Sequence, residues 1–326
     1  MKIAFFDTKP YDKTLFEIMA EQYGYEIKFY RTRMSPDTVS LAKGYDLVCV
    51  FVNDNVNKYV VNQLAEYGIK GILLRCAGFN NVDLKAAKDR IPVLRVPSYS
   101  PEAVGEFAMS MLQCINRKIH RAYNRTRDFN MSIDGLMGID LNNKVAGIIG
   151  TGKIGQAMIR ICKGFNMRIL AYDLYPNEDL DVEYVDLETL FKKSDIISLH
   201  CPMTSETKYM INSNTLEMMK EGVYIVNTSR GELIKTVDLI DMLLMPGRIG
   251  GVALDVYEEE SEIFYEDRSN EIIKDENFTR LMTFPNVLIT SHQGYFTIEA
   301  MQAICITTME NAYDLENNLE LKNQVL

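Results

Sequence analysis

The sequence predicts an α/β fold made of two doubly wound parallel-sheet domains. Three observations carry that reading. The chain has 326 residues, too many for one average domain and suited to two of ordinary size. Short apolar runs alternate with helical patterns, first over residues 1–100 and again from Lys144 onward. Only the second block places a glycine-rich turn between a strand and a helix.

In the first block Ile3–Phe6, Ile27–Tyr30, Leu47–Val52, Gly71–Leu74 and Val93–Val96 read as strands buried on both faces. They are short and mostly apolar, as the strands of a buried parallel sheet are. Thr14–Tyr23 and Val56–Tyr67 read as helices. Ser100-Pro101-Glu102 then supplies an N-cap, a proline at the first helical position and an acid in the first turn, so one long helix is expected to run to about Arg127. Its basic end, with Arg117, Lys118, Arg121, Arg125 and Arg127, reads as a solvated face or a subunit contact.

In the second block strands are expected at Val145–Ile149, Arg168–Tyr172, Ile196–His200, Gly222–Asn227, Gly250–Asp255 and Asn286–Thr290. The final helix, Thr297–Leu319, is expected to return to the first block, which lacks a closing helix. The division expected is residues 1–99 with 299–326 against residues 100–298, with a cleft between the two domains.

Composition narrows the class. A net charge of −10 and a pI near 5 disfavour a nucleic-acid or anionic-membrane partner, either of which favours a basic face. They leave room for a small anionic substrate, which needs only one or two local cations. MKIAFFD is a strand rather than a signal peptide, and no apolar run approaches the roughly 18 residues of a membrane span. A cytoplasmic protein is expected. Six cysteines lie far apart with no CxxC pair, so buried reduced thiols are expected and no metal site.

The strongest local motif is Gly150-Thr151-Gly152-Lys153-Ile154-Gly155. It follows the strand Val145–Ile149, opens the amphipathic segment Gln156–Phe165, and precedes a strand ending at Asp173, 18 residues after Gly155. Gly150 allows the tight turn, Gly152 lets the backbone approach a pyrophosphate, and Gly155 brings helix and strand together. Asp173 is placed to accept the adenosine ribose hydroxyls. No arginine follows it for a 2′-phosphate, so NAD is favoured over NADP.

Reduction of a 2-oxo acid needs a cation for the carboxylate and a proton donor for the oxygen. An arginine suits the first because its planar fork pairs bidentately. A histidine suits the second because it exchanges a proton near neutrality. Of the three histidines, His120 reads as a surface residue and His200 as a rim position near the cofactor. His292 follows a strand at the carboxyl edge, where open α/β sheets place their ligands. Arg230 and the run Glu258-Glu259-Glu260 follow strands at that same edge. A glutamate there can hold the histidine tautomer through its second nitrogen.

At these residues the chain resembles the D-isomer-specific 2-hydroxyacid dehydrogenases, in particular their lactate branch. The resemblance covers nearly the whole chain. It rests on RCAGFNNVDL (75–84), VPSYSPEAVGE (96–106), NRKIHRAYNRTRDFN (116–130), GIIGTGKIG (147–155), SLHCPMT (198–204), VNTSRGELI (226–234), ALDVYEEE (253–260) and NVLITSHQGYFT (286–297). The DVYEEESEIFYEDRS insertion and the HQ pair mark the lactate branch.

The resemblance implies a flavodoxin-like substrate domain and a Rossmann NAD-binding domain. It implies Arg230 as the carboxylate-orienting cation, His292 as acid/base, and Glu260 as its carboxylate partner, with Glu259 the alternative. Ala77 and Gly78 match a backbone cradle for the substrate carboxylate; Tyr99 and Tyr295 match pocket positions. Cofactor contacts fall on Lys153, Ile154, Asp173, Cys201, Pro202, Thr207, Thr228, Ser229 and Asp255; relatives often carry Asn where this chain has Thr207.

Pyruvate and D-lactate are the expected pair, and a homodimer or homotetramer the expected assembly. The rival readings are a larger 2-oxo acid, such as 2-oxoisocaproate, phenylpyruvate or 2-oxoglutarate, and an NAD-sensing corepressor-like binding protein.

Overall fold

The computed structural model describes residues 1–325; Leu326, which the sequence reading assigned to the first domain, lies outside them. The chain divides into two compact units, Met1–Ser100 with Phe296–Leu326, and Pro101–Tyr295.

The first unit holds β1 (Lys2–Phe5), β2 (Glu26–Phe29), β3 (Leu47–Val50), β4 (Gly71–Leu74) and β5 (Val93–Leu94). All pair in parallel in the order β2-β1-β3-β4-β5, which is the flavodoxin-like winding. Strands β3 and β4 are buried at every residue, as a parallel sheet covered on both faces requires.

Helix α1 (Pro10–Tyr23) starts four residues earlier than Thr14, where the apolar pattern placed it. Pro10 has no N–H to leave unpaired in the first turn, and Asp12 accepts the Lys9 N–H. The helix stops at Gly24, whose φ of 69° is left-handed. Helices α2 (Lys58–Glu66) and α3 (Leu84–Ala87) are capped by the side chains of Asn57 and Asp83.

The last helix, Ile298–Glu316, is capped by Thr297 and covers this sheet closely. A Cβ at Gly71 of β4 would lie 2.5 Å from a methyl of its Leu315, so any larger residue there would push that side chain aside. The tail beyond it reaches β5 through Leu94 and Gln324.

The second unit holds β6 (Val145–Ile149), β7 (Arg168–Tyr172), β8 (Glu183–Tyr184), β9 (Ile196–Leu199), β10 (Val223–Asn227), β11 (Ile249–Leu254) and β12 (Val287–Ile289). They are parallel, in the order β12-β11-β10-β9-β6-β7-β8. The winding reverses between β6 and β9, and ligands bind at the carboxyl edge of such a switch point.

Helices α4 (Pro101–Asn116), α5 (Ile119–Arg127) and α6 (Lys153–Gly164) come first in this unit, followed by α7 (Leu187–Lys193), α8 (Ser213–Met218), α9 (Thr236–Leu243) and α10 (Glu276–Thr283). One face of the sheet packs Ala108, Leu112, Met158 and Ile159 against Ile148 and Val226. The other packs Leu190, Phe191, Leu216, Leu239 and Leu281 against Ile197, Ile225 and Val252. Burying each of the larger of these side chains contributes about 1.5–3 kcal/mol. No helix among the described residues is long and apolar enough to cross a membrane.

Two expectations need correction. The long helix expected from Ser100 to Arg127 is two helices, broken at Lys118 with φ 51°. Buried Asn116 pairs with both the N–H and the C=O of Ile139, at 2.9 Å each, and this distant partner ends α4 where the local pattern runs on. Strand β8 was not expected at all. Its two residues, Glu183 and Tyr184, carry no apolar run, and it exists only through pairing with β7.

Candidate active site

The glycine-rich turn joins β6 to α6. Gly150 has φ 93°, and a Cβ there would lie 2.6 Å from the Cys201 nitrogen. At Gly155 a Cβ would meet the Gly150 carbonyl oxygen at 2.0 Å, so both positions demand glycine. Gly152 is different. Among the described residues nothing beyond its chain neighbours lies within 4 Å of its would-be Cβ, so its bare backbone faces open space at the N-terminus of α6, which begins with Lys153 and Ile154. An anion fits there, on free helix N–H groups and the positive end of the dipole.

Asp173 stands just after β7. Its Oδ2 accepts the Thr151 N–H at 2.6 Å and the Thr151 hydroxyl at 3.0 Å, and its Oδ1 accepts the Tyr175 N–H at 2.9 Å. Burial pushes the carboxyl up, but these hydrogen bonds together outweigh it and hold Asp173 below the usual carboxylate range.

Beyond β9, burial pushes the Cys201 thiol up to about 11, and its Sγ lies 3.7 Å from the Met210 sulfur. Thr207 accepts the Thr204 N–H and donates to the Pro202 carbonyl, which shapes the turn rather than freeing its hydroxyl. Ser229 donates to the Cys201 carbonyl at 2.6 Å and so ties the ends of β9 and β10. The Thr228 hydroxyl is buried without a partner among the described residues, as is Nδ1 of His200. Such orphans call for a group from outside the chain. Burial lowers His200 to about 4, so it stays neutral.

His292 follows β12 in the left-handed region, φ 54°. Its Nδ1 lies 2.7 Å from Glu260 Oε1, and the two side chains are 23% and 25% exposed, so the pair is reached by solvent. Of the neighbouring glutamates, Glu258 instead accepts the Thr236 N–H at the start of α9. Glu260 Oε2 accepts the Tyr257 N–H, which fixes the carboxylate as it faces the imidazole.

Buried Asp255 binds the same loop. It accepts the Thr290 hydroxyl at 2.6 Å and the N–H groups of Gln293 and Gly294 at 2.9 and 2.7 Å. Burial raises its carboxyl despite these bonds. Both its oxygens are thus occupied by the chain.

Arg230 follows β10. Buried Asn227 stitches the turn, donating to the Arg230 carbonyl and accepting the Ser229 N–H. The guanidinium is exposed and forms no ion pair among the described residues. Gly231 must be glycine, since a Cβ there would lie 2.0 Å from the Tyr257 backbone. Tyr295 is buried at the end of this unit.

In the first unit Ala77 and Gly78 follow β4. The Ala77 carbonyl accepts from Arg95, and the Gly78 carbonyl lies 3.2 Å from the Cys76 sulfur. Neither amide N–H has an acceptor among the described residues, which leaves two donors for an anion. Tyr99 is half-buried near the end of the unit's first segment.

Asn227, Thr290 and Tyr265 were not anticipated. Each acts through partners set by the fold, and only the Asn before TSRG, a polar residue inside an apolar strand, left a sequence signal.

A doubly wound sheet that offers a bare glycine turn and, on the same edge, an imidazole paired with a carboxylate fits an NAD-dependent oxidoreductase. Comparison with known proteins makes the class specific. The chain belongs to the D-isomer-specific 2-hydroxyacid dehydrogenases, whose NAD-binding-domain model matches residues 109–294.

It is 49% identical to the D-lactate dehydrogenase of Escherichia coli over 330 aligned positions, covering all of both chains. The apo structure of D-lactate dehydrogenase from that organism superposes with a TM-score of 0.91, at 47% identity and full coverage of both chains. The pyruvate reductase of Chlamydomonas reinhardtii gives 0.94 at 39% identity, covering 99% of this chain and 98% of that one. An NAD complex of a family member from Lactobacillus delbrueckii ssp. bulgaricus gives 0.86 at 30% identity over the whole of both chains.

Proposed function

We propose that the protein reduces pyruvate to D-lactate with NADH, reversibly, with His292 as the acid/base. The observation that carries this reading is the His292–Glu260 pair, 2.7 Å apart, on the strand-end edge that also bears Arg230 and the dinucleotide turn. Full-length identity of 49% to a D-lactate dehydrogenase supports lactate over bulkier acids.

NADH, when bound, supplies the hydride to the carbonyl carbon. The residues that would hold it are Gly150, Gly152, Lys153, Ile154, Gly155, Asp173, Cys201, Pro202, Thr228 and Ser229, with Thr207 and Asp255 shaping the same edge through their bonds within the chain. Arg230 pairs with the substrate carboxylate and polarises the carbonyl, and the Ala77 and Gly78 amides of the first unit are carboxylate-binding donors. Tyr99 and Tyr295 are substrate-binding side chains of their respective units. Protonated His292 delivers its proton to the carbonyl oxygen, and Glu260 stabilises the imidazolium before transfer and fixes the tautomer after it. Reduction therefore needs protonated His292 and oxidation needs it neutral, so the two directions have opposite pH dependence.

A second copy of the chain is the natural partner. Phe129, Ile133 and Met137 are each more than 80% exposed on one short segment after α5, an apolar surface that a subunit contact would cover. Six cysteines spaced far apart, with no CxxC pair, support a reducing compartment such as the cytoplasm.

The test compares NADH oxidation with pyruvate in wild type and His292→Ala, with NADH binding measured in both. The expected outcome is loss of several orders of magnitude in kcat with binding retained. A wild type that binds NADH but turns over only larger 2-oxo acids would falsify the lactate assignment.

A further inference from the structure

We propose that Tyr265 is a positioning residue for His292. This rests on the reading of His292 as acid/base and deepens it.

His292 sits at φ 54°, a conformation that a residue with a side chain adopts only when its surroundings hold it there. The residues around it are tied to Asp255: Thr290 through its hydroxyl, Gln293 and Gly294 through their N–H groups. His292 itself keeps two further handles, the ring Nδ1 and the backbone carbonyl. Glu260 takes the first. The Tyr265 hydroxyl donates to the second at 3.0 Å, and its ring stacks on the imidazole with centroids 6.2 Å apart and planes 29° apart.

Glu260 and Tyr265 belong to one folded turn. The Glu260 carbonyl accepts the N–H groups of Ile263 and Phe264, and Glu260 Oε2 accepts that of Tyr257. Buried Phe264 packs with Phe278, and Phe278 with Tyr257, anchoring the turn in the core. Carboxylate and phenol therefore reach His292 from one rigid piece. The carboxylate sets the tautomer; the phenol sets the height and tilt of the ring. Nε2, which has no partner among the described residues, is left to face the reacting oxygen. The insertion 255–269 thus acts as a jig for the imidazole. The bland alternative is that Tyr265 only fills the edge of the core.

Tyr265→Phe keeps the ring and removes the hydroxyl; Tyr265→Leu removes both. NADH oxidation with pyruvate is followed across pH, with melting temperature and NADH affinity measured on the same samples. The expected result for Tyr265→Phe is a kcat about tenfold lower, with a larger loss for Tyr265→Leu, since small misplacements of a catalytic group are costly. The alkaline limb of the reduction profile moves to lower pH, because a loosened imidazolium registers less well with Glu260. NADH affinity stays at the wild-type value.

A Tyr265→Phe enzyme with wild-type kcat and an unmoved limb overturns the proposal. So does a variant whose rate falls only in step with its melting temperature while the limb stays in place; measuring well below that temperature separates the two. His292→Ala distinguishes the levels. If it is inactive while Tyr265→Phe is normal, only the positioning role fails; if it remains active, the acid/base reading beneath it fails.

Discussion

Each unit of the molecule gathers a cation and carboxylates at the carboxyl edge of its sheet, and the two clusters are built oppositely. In the first unit Arg75, just after β4, is only 2% exposed. It donates to the Asp7 carbonyl at 2.7 Å, lies 3.4 Å from Asp12 Oδ2, and sits over the rings of Phe5 and Phe51 at 4.4 and 4.7 Å. Burial opposes its charge, but Asp12, Asp54 and Asp7 outweigh that and keep the guanidinium protonated.

Asp54, after β3, accepts the Met34 and Phe51 N–H groups at 2.5 Å each. Burial outweighs the pull of Arg75 and pushes its carboxyl up to about 6. This cluster cross-links the ends of β1, β3 and β4 directly before Ala77 and Gly78. In the second unit the His292–Glu260 pair is about a quarter exposed and has few other partners. The difference is one of solvent access: the sealed cluster braces the backbone, and the open pair stays within reach of water.

Substitutions can break that contrast. Arg75→Met should have the largest effect on stability, because it strands several buried carboxylates. Removing one member of a buried ion pair costs about 3–5 kcal/mol. At roughly 2–4 °C per kcal/mol for a unit of this size, the melting temperature should fall by about 10 °C in a thermal scan. A fall of a degree or less would mean that the cluster braces nothing.

Glu260→Gln should do the reverse. A part-exposed pair contributes about 1 kcal/mol or less to stability, so melting should barely move. Steady-state kinetics should show kcat for pyruvate reduction lowered about 10–100-fold and an optimum displaced to lower pH, since the amide no longer stabilises the imidazolium. Unchanged kinetics would remove Glu260 from the proposed chemistry.

The subtlest readout lies in pH. The folded-state value of Asp54, about 6, exceeds its ordinary 3.8, so protonation favours the fold. That contribution is fully present below about 4 and is lost as pH rises through 6; it amounts to at most about 3 kcal/mol. Asp54→Asn removes the titration, though it also gives up one of two acceptors. The melting temperature of wild type minus that of the variant should therefore shrink between pH 4 and 6 and level off above. A gap that stays constant across this window would show that Asp54 is not buried as described.

What could be read from the chain follows from how local each signal is. Val145–Ile149 and Arg168–Tyr172 were placed residue for residue, because a doubly covered strand is an apolar run bounded by polar residues. The glycine turn was legible because backbone geometry restricts Gly150 and Gly155 to one residue type. Arg230 and His292 stood out by chemistry and by position after strands. The break at Lys118 and strand β8 escaped because each depends on a partner far along the chain.

The sequence by itself therefore determined the α/β class, the parallel winding, the cofactor turn and a short set of candidate groups. Periodicity, glycine sterics and side-chain chemistry act over a few residues and are written in order. The tertiary structure decided which glutamate meets His292, a pairing across 32 residues. It also decided that Asp255 and Tyr265 fix the histidine loop, and that Arg75 is sealed while Glu260 stays open. Those outcomes depend on distance and water access, which arise only when strand ends from separate parts of the chain are brought side by side.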